Sequence, residues 1–194
     1  MSQTDKKRPG RPRSTRSHQA MLQATLELLA EVGFEAISID AIAARAKVGK
    51  TTIYRRYASK AELVADAIES VREEIIIPDT GSFQEDIDAI VQNAAKITLS
   101  PLGRQMVATI VSSASRNDQF ARIYWTKYLQ PRQKAFAIVL ERAKARNEVS
   151  LDLDSDLVFD AMSGIMLYAT IFQPTSESWT SYVGRVLKLL LTRI

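Results

Sequence analysis

Residues 38–63, SIDAIAARAKVGKTTIYRRYASKAEL, decide the fold of this 194-residue chain. Ser38 is placed to cap a helix in which Ile39, Ile42, Ala43 and Ala46 recur at helical spacing, and Lys47-Val48-Gly49 supplies a tight turn. A second helix follows at once. At about 100° per residue, Ile53 and Tyr57 share one of its faces, Thr51, Thr52, Tyr54 and Arg55 lie on the other, and Lys50 and Arg56 flank it. Ser59 and Glu62 have the spacing of a capping box, which opens a further helix and sets Lys60 in its first turn, where a phosphate would sit. The layout is that of a helix-turn-helix spanning residues 38–57, in which the second helix packs by one face and offers the other to a DNA major groove.

The charge distribution points the same way. Residues 1–60 carry 12 Lys or Arg against 5 Asp or Glu, a net of +7, whereas residues 61–194 carry 14 against 17, a net of −3. A polyanion partner for the first third of the chain follows. Residues 6–16, KKRPGRPRSTR, lack apolar periodicity and hold two prolines and a glycine, so a basic disordered arm is expected over residues 1–14. Within it, Arg11 and Arg13 around Gly10-Arg11-Pro12 resemble an AT-hook, whose extended Arg-Pro backbone lies in a narrow A·T-rich minor groove; a purely electrostatic tail is the alternative. His18, beside the arm, reads as exposed or close to a phosphate.

Over roughly residues 15–74 the chain closely resembles the DNA-binding domain of the TetR family of bacterial transcriptional regulators. The resemblance rests on Ala24, Leu28, Leu29, Gly33-Phe34, Ser38-Ile39, Ile42-Ala43, Ala46, Val48, Thr52-Ile53-Tyr54, Tyr57, Ser59-Lys60 and Leu63. Gly49, Thr51, Arg56 and Tyr57 depart from the residues usual in the family, which leaves the operator sequence open. Applied to this chain, the resemblance implies that Lys50, Thr51, Tyr54 and Arg55 reach base edges while Ser38, Thr52, Arg56 and Lys60 hold phosphates.

Beyond the helix-turn-helix the pattern stays helical. Helix 1 is expected over about 17–32, with Leu22, Leu26 and Leu29 on one stripe and Gly33 as its stop. Another helix runs from 59 to about 74 and links the two halves of the chain. Further helices are signalled over 83–99, from Ser100 with Pro101 at its first position, over 118–147 with a kink or break at Pro131, from Asp154 or Ser155 to Phe172, and from Thr175 or Ser176 to the end. No segment alternates as a strand would. The expected fold is therefore all-α with about nine helices: an N-terminal three-helix DNA-binding domain with its helix-turn-helix over residues 15–75, and a C-terminal helical domain for ligand binding and dimerisation over residues 76–194.

The last two helices are unusually apolar, more than one core face requires, so the helix before Phe172 should be buried on two sides, either centrally within one chain or across a dimer. Dimerisation through the last two helices is what TetR resemblance implies, with Ile171, Phe172, Tyr182, Val183, Val186 and Leu187 as candidate interface residues. The motifs at 79–82 and 100–104 also resemble one subgroup of the family's regulatory domains. Trp125 and Tyr128, beside Pro131, could face Met106, Ile110 and Met166 around a hydrophobic or aromatic effector, or all five could be ordinary core residues. The family resemblance implies a homodimeric repressor released from a palindromic operator by a small molecule.

Other classes have little support. Val48-Gly49-Lys50-Thr51-Thr52 looks like the end of a phosphate-binding loop, but Ala44 stands where that loop needs a glycine, and a helix rather than a strand precedes it. No nucleophile, acid–base pair or cofactor motif marks an enzyme. With no Cys and one His, disulfides, thiol-zinc sites and His-based metal clusters have no residues to use. The charged N-terminus lacks a signal core, and the longest uncharged stretch, 161–176, is too short to span a bilayer, so a cytoplasmic protein is expected. A DNA-binding protein of architectural type, without an effector, is the competing reading; the body of about 120 residues is larger than a simple dimerisation element needs.

Overall fold

The computed structural model describes residues 12–71, 77–174 and 176–191, the side chains of 12–14 excepted. The chain divides into two units, residues 1–71 and 72–194. Helices are the only regular structure among the described residues.

The first unit holds α1 (Pro12–Ala36), α2 (Ile39–Ala46), α3 (Lys50–Tyr54) and α4 (Lys60–Glu69). Helix α1 begins five residues before the expected start and overlaps residues 12–14 of the expected arm. Proline at a first helical position has no N–H to leave unpaired and a φ already suited to the helix, which lets α1 extend back to Pro12. Residues 1–11, with Arg11 of the AT-hook-like motif, lie outside the described residues, as does the Arg13 side chain. Gly33, at φ 76° and ψ 173°, breaks the helical path before a last turn to Ala36. The buried side of α1 is Met21, Ala24, Thr25, Leu26, Leu28 and Leu29, with Leu22 only half-buried. Thr25 tolerates full burial because its hydroxyl donates to the Met21 carbonyl at 2.7 Å. Helices α2 and α4 both pack on α1, and α3 packs on α2. Arg45 of α2 meets Glu31 of α1 through two parallel hydrogen bonds, one of 2.8 Å.

The second unit contains α5 (Phe83–Thr98), α6 (Pro101–Arg116), α7 (Asp118–Tyr124), α8 (Gln130–Ala145), α9 (Ser155–Ile171) and α10 (Trp179–Leu191). Its core joins α5, α8, α9 and α10 through Phe83, Val91, Phe136, Leu140, Phe159 and Trp179 among others. The Trp179 indole N–H donates to the Thr170 hydroxyl at 3.3 Å, so its burial leaves no orphan donor. Before α5, the Asp86 carboxylate accepts from the Thr80 N–H and hydroxyl, both at 2.8 Å, which fixes the loop at its entry. Helix α6 starts where Ser100 caps it and Gly103 passes so near α5 that a Cβ would sit 1.9 Å from the Ile97 carbonyl oxygen.

Pro131 does not break the chain into separate helices. A π-helical turn (Trp125–Leu129) joins α7 to α8, and the Gln130 N–H reaches back five residues to the Trp125 carbonyl. The extra residue in that turn absorbs the clash and the missing donor that proline brings. Counted as one rod with α7 and α8, the helices among the described residues number nine, as the pattern implied.

Candidate nucleic-acid interface

Local bonds shape the helix-turn-helix. Ser38 Oγ accepts from the Ala41 N–H at 3.1 Å and caps α2. The turn is made by Lys47 in the left-handed region, φ 54° and ψ 44°, with the Lys47 and Val48 N–H groups closing on the Ala44 and Ala43 carbonyls. Gly49, at φ −71°, caps α3 without a side chain. Thr52 donates its N–H to the Gly49 carbonyl at 2.8 Å, and Tyr57 to the Ile53 carbonyl at 3.0 Å, so helical bonding carries past Tyr54.

This backbone sets Ile53 and Tyr57 inward, both buried, and leaves Lys50, Thr51, Tyr54, Arg55 and Arg56 exposed with Thr52 half-exposed. Tyr54 is 59% exposed, high for so large a ring. The sequence-derived partition between packing face and free face holds at every one of these positions. Ser38 is exposed, and its hydroxyl proton can still be donated although its oxygen is used in the cap. Lys50 is paired: its Nζ lies 2.7 Å from Asp40 Oδ2, which raises its pKa.

Lys60 has a second duty that the pattern did not reveal. Its ammonium donates to the Phe34 carbonyl at 2.8 Å and the Glu35 carbonyl at 3.3 Å, and lies 4.6 Å from the Phe34 ring centre. A positive charge on the last carbonyls of α1 is favourable for the same reason that cations suit helix C-termini. Beside it, Ser59 Oγ accepts from the Glu62 N–H at 3.2 Å, while the Glu62 carboxylate accepts from the Ala58 N–H at 2.9 Å. The capping box thus forms with its return bond shifted by one residue.

His18 departs from the solvent-exposed reading. Its ring stacks on Tyr57 with centres 6.2 Å apart, and its Nδ1 is buried without a hydrogen-bond partner. Desolvation lowers its pKa, the Arg56 charge lowers it further, and Asp66 partly opposes both. Burial, then the charge of Asp66, pushes the Tyr57 phenol upward, so it stays protonated. His18 therefore supports the inner face of α3 from α1.

In the second unit the candidate effector residues divide. Met106 is buried, Ile110, Tyr128 and Met166 are half-buried, and Trp125 is 38% exposed. Tyr124, not singled out from the sequence, takes the interior position: it is buried between Phe120 and Tyr128, with ring centres at 5.7 and 5.4 Å. Trp125, the next residue, is turned about 100° away from Tyr124 around the helix and keeps part of its ring covered.

The candidate dimer residues divide as well. Val183 and Leu187 are fully buried in their own chain, forming with Trp179 the inner stripe of α10. They are not available to a partner, which corrects their assignment. Tyr182 and Val186 sit on the neighbouring stripe and are half-buried, while Ile171 and Phe172 are exposed. Leu157, Ala161, Gly164, Tyr168 and Ile171 all lie exposed along α9 at alternating four- and three-residue steps, the spacing of a helix-packing seam. An apolar helix buried centrally in one chain would not show this stripe.

Among the described residues, no helix is long and apolar enough to cross a membrane, and no group of three His, Cys, Asp or Glu could hold a metal ion.

Comparison with known proteins agrees with this geometry. Residues 21–67 match the family described as bacterial regulatory proteins, tetR family, and residues 77–190 match the tetracyclin repressor-like C-terminal domain. An uncharacterized HTH-type transcriptional regulator of Bacillus subtilis, YdeS, is 33% identical over 160 residues, 82% of this chain and 80% of its own length. The DNA-binding transcriptional repressor TetR of Mycobacteroides abscessus is 29% identical over 175 residues, covering 86% of this chain and 87% of that protein. The solved structure of the flavonoid-responsive regulator FrrA has the same fold, with a TM-score of 0.68 at 22% identity over 91% of this chain and 97% of its own. A helix-turn-helix with an exposed basic face, a second, helical unit and these matches across both units lead to one conclusion: the chain belongs to the TetR family of transcriptional regulators, which are DNA-binding proteins and not enzymes.

Proposed function

We propose that the protein is a homodimeric repressor that holds a palindromic operator and is released by a small hydrophobic or aromatic effector. The observation that carries the DNA reading is the division of α3 into a buried Ile53–Tyr57 face and an outer face of exposed cations, hydroxyls and a tyrosine. On that face Lys50, Thr51, Tyr54 and Arg55 read base edges, and Ser38, Thr52 and Arg56 bind phosphates. Lys60 has three N–H donors; two serve the Phe34 and Glu35 carbonyls and the third serves a phosphate. Arg11 and Arg13 add minor-groove contacts. A repressor of a bacterial operator works in the cytoplasm.

Members of the family usually act as dimers with small-molecule effectors. The exposed seam of α9, with Phe172, Tyr182 and Val186, supplies the dimer contact. Gly164 and Gly184 meet nothing within 4 Å of a would-be Cβ, so a partner helix could approach closely there. Met106, Ile110, Trp125, Tyr128 and Met166, with Tyr124 stacked beside Tyr128, form the effector site. A repressor among the relatives and a flavonoid-responsive fold neighbour support this class of control.

Release requires the effector to favour the form that does not bind DNA, since a ligand indifferent between two states shifts neither. A coupling of about 1–3 kcal/mol weakens operator binding by roughly 5- to 150-fold, and operator must weaken the effector by the same factor. Hydrophobic and aromatic compounds are screened by Trp125 fluorescence in a Trp179→Phe background, then titrated with and without operator DNA. An effector binds more weakly to the DNA-bound protein; equal affinity in the two titrations removes that compound, and a broad screen with no reciprocal hit removes the effector.

A further inference from the structure

Asp40 carries a negative charge into the cationic face described above, and none of the assigned roles uses it. Its Oδ2 lies 2.7 Å from Lys50 Nζ, joining the first turn of α2 to the first residue of α3, with the two side chains 65% and 56% exposed. Ion pairs this open to solvent add little to stability. On a surface meant for a polyanion, the carboxylate also repels every nearby phosphate. An acid suits the N-terminal end of α2, but that accounts for its presence and not for its grip on a lysine of the neighbouring helix.

What the pair supplies is direction. A lysine is a point charge on a flexible four-carbon stem and takes whichever phosphate lies within reach. The N-terminal residues of a recognition helix are the ones that meet base edges. We propose that Asp40 is a specificity-determining residue: its carboxylate holds the Lys50 ammonium at the start of α3, where the remaining N–H donors meet guanine O6 and N7, and withholds it from the phosphate backbone. The inference rests on the reading of α3 as the DNA-contacting helix. Lys50 then contributes to operator binding while adding little to non-specific binding, and the discrimination originates in an acid that never needs to touch DNA.

The test titrates the full-length wild type, Asp40→Asn, Lys50→Ala and the double variant against operator and random-sequence duplexes across a salt series, with circular dichroism to verify folding. Asp40→Asn should bind random DNA about three- to tenfold more tightly at about 0.1 M salt, its salt slope steepening by about one as the freed ammonium takes a phosphate. Operator affinity should change by no more than about twofold, so the operator-to-random ratio falls by about three- to tenfold. In the Lys50→Ala background, Asp40→Asn should leave the operator-to-random ratio unchanged. An unchanged operator-to-random ratio in Asp40→Asn, or a fall in that ratio that persists without Lys50, reduces Asp40 to a bare charge and overturns the proposal. A wild-type protein with no operator preference fails before any variant is compared, and the DNA reading falls with the inference built on it.

Discussion

The outer face of α3 and the outer stripe of α9 are built alike and differ in chemistry. Each lies opposite a buried side of its own helix, Ile53 and Tyr57 in one case, Phe159, Met162 and Ala169 in the other. The exposed side of α3 carries Lys50, Thr51, Tyr54 and Arg55, and that of α9 carries Leu157, Ala161, Tyr168 and Ile171. A charged, hydroxylated face is comfortable in water and gains from a polyanion; an apolar stripe is not, and gains from another apolar surface. The comparison teaches that a helix's unburied side names the class of its partner once the buried side is known, and that the buried side must be known first.

The largest effect should separate the two sides within the second unit. Leu187→Ala, on the inner stripe of α10, should cost about 2–5 kcal/mol of stability by leaving a cavity. Tyr168→Asp, on the outer stripe of α9, should keep its helix content yet shift sedimentation from dimer to monomer and abolish operator binding. A stable, dimeric Tyr168→Asp protein would place the interface elsewhere.

A smaller effect divides the cations of the first unit. Lys50→Ala should lose about 1–3 kcal/mol on operator alone, whereas Lys60→Ala should weaken all duplexes and lower the salt slope by about one. Because Lys60 also holds the end of α1, its alanine variant should melt earlier, with a stability loss of about 1–2 kcal/mol for the charged hydrogen bonds. Titrations over salt, paired with thermal melts, distinguish the two lysines; a Lys60→Ala variant that melts as the wild type does would deny the helix-end role.

The smallest effect is a pH dependence behind α3. The folded pKa of His18 lies below its ordinary 6.5, so the unfolded chain takes up its proton first as pH falls. His18 therefore contributes stability that is complete above pH 6.5 and declines as pH drops toward the lowered folded value, where the loss levels off. Amide exchange in α3 should quicken over that window in the wild type and not in His18→Gln. The same pH response in both proteins would assign it to other groups.

What could be read from the sequence was what local bonds determine. Ser38, Ser59 and Ser100 cap their helices because a side-chain oxygen and an N–H three residues on need no help from the rest of the chain. The α3 faces were legible because the helix is short and Ile53 is its one aliphatic residue. In α9 and α10 most positions are apolar, so periodicity does not say which stripe meets the chain's own core, and Val183 and Leu187 of the inner stripe are not separated in the sequence from Tyr182 and Val186 of its neighbour. The Lys50–Asp40 and Lys60–Phe34 contacts are invisible in sequence because they join residues 10 and 26 apart across helices. Pro131 announced a disturbance but not its form, since a kink, a break and a π turn all relieve the same clash.

The most direct test of the account is selection of binding sites from a random duplex library by the full-length protein. Two copies of α3 held by one dimer should enrich a palindrome whose half-sites are centred about one helical turn apart, roughly 34–36 Å. Lys50→Ala should then relax the preference at a symmetric pair of positions within it. Enrichment of no sequence, or of a single unrepeated half-site, would contradict a dimer that reads DNA through the outer face of α3.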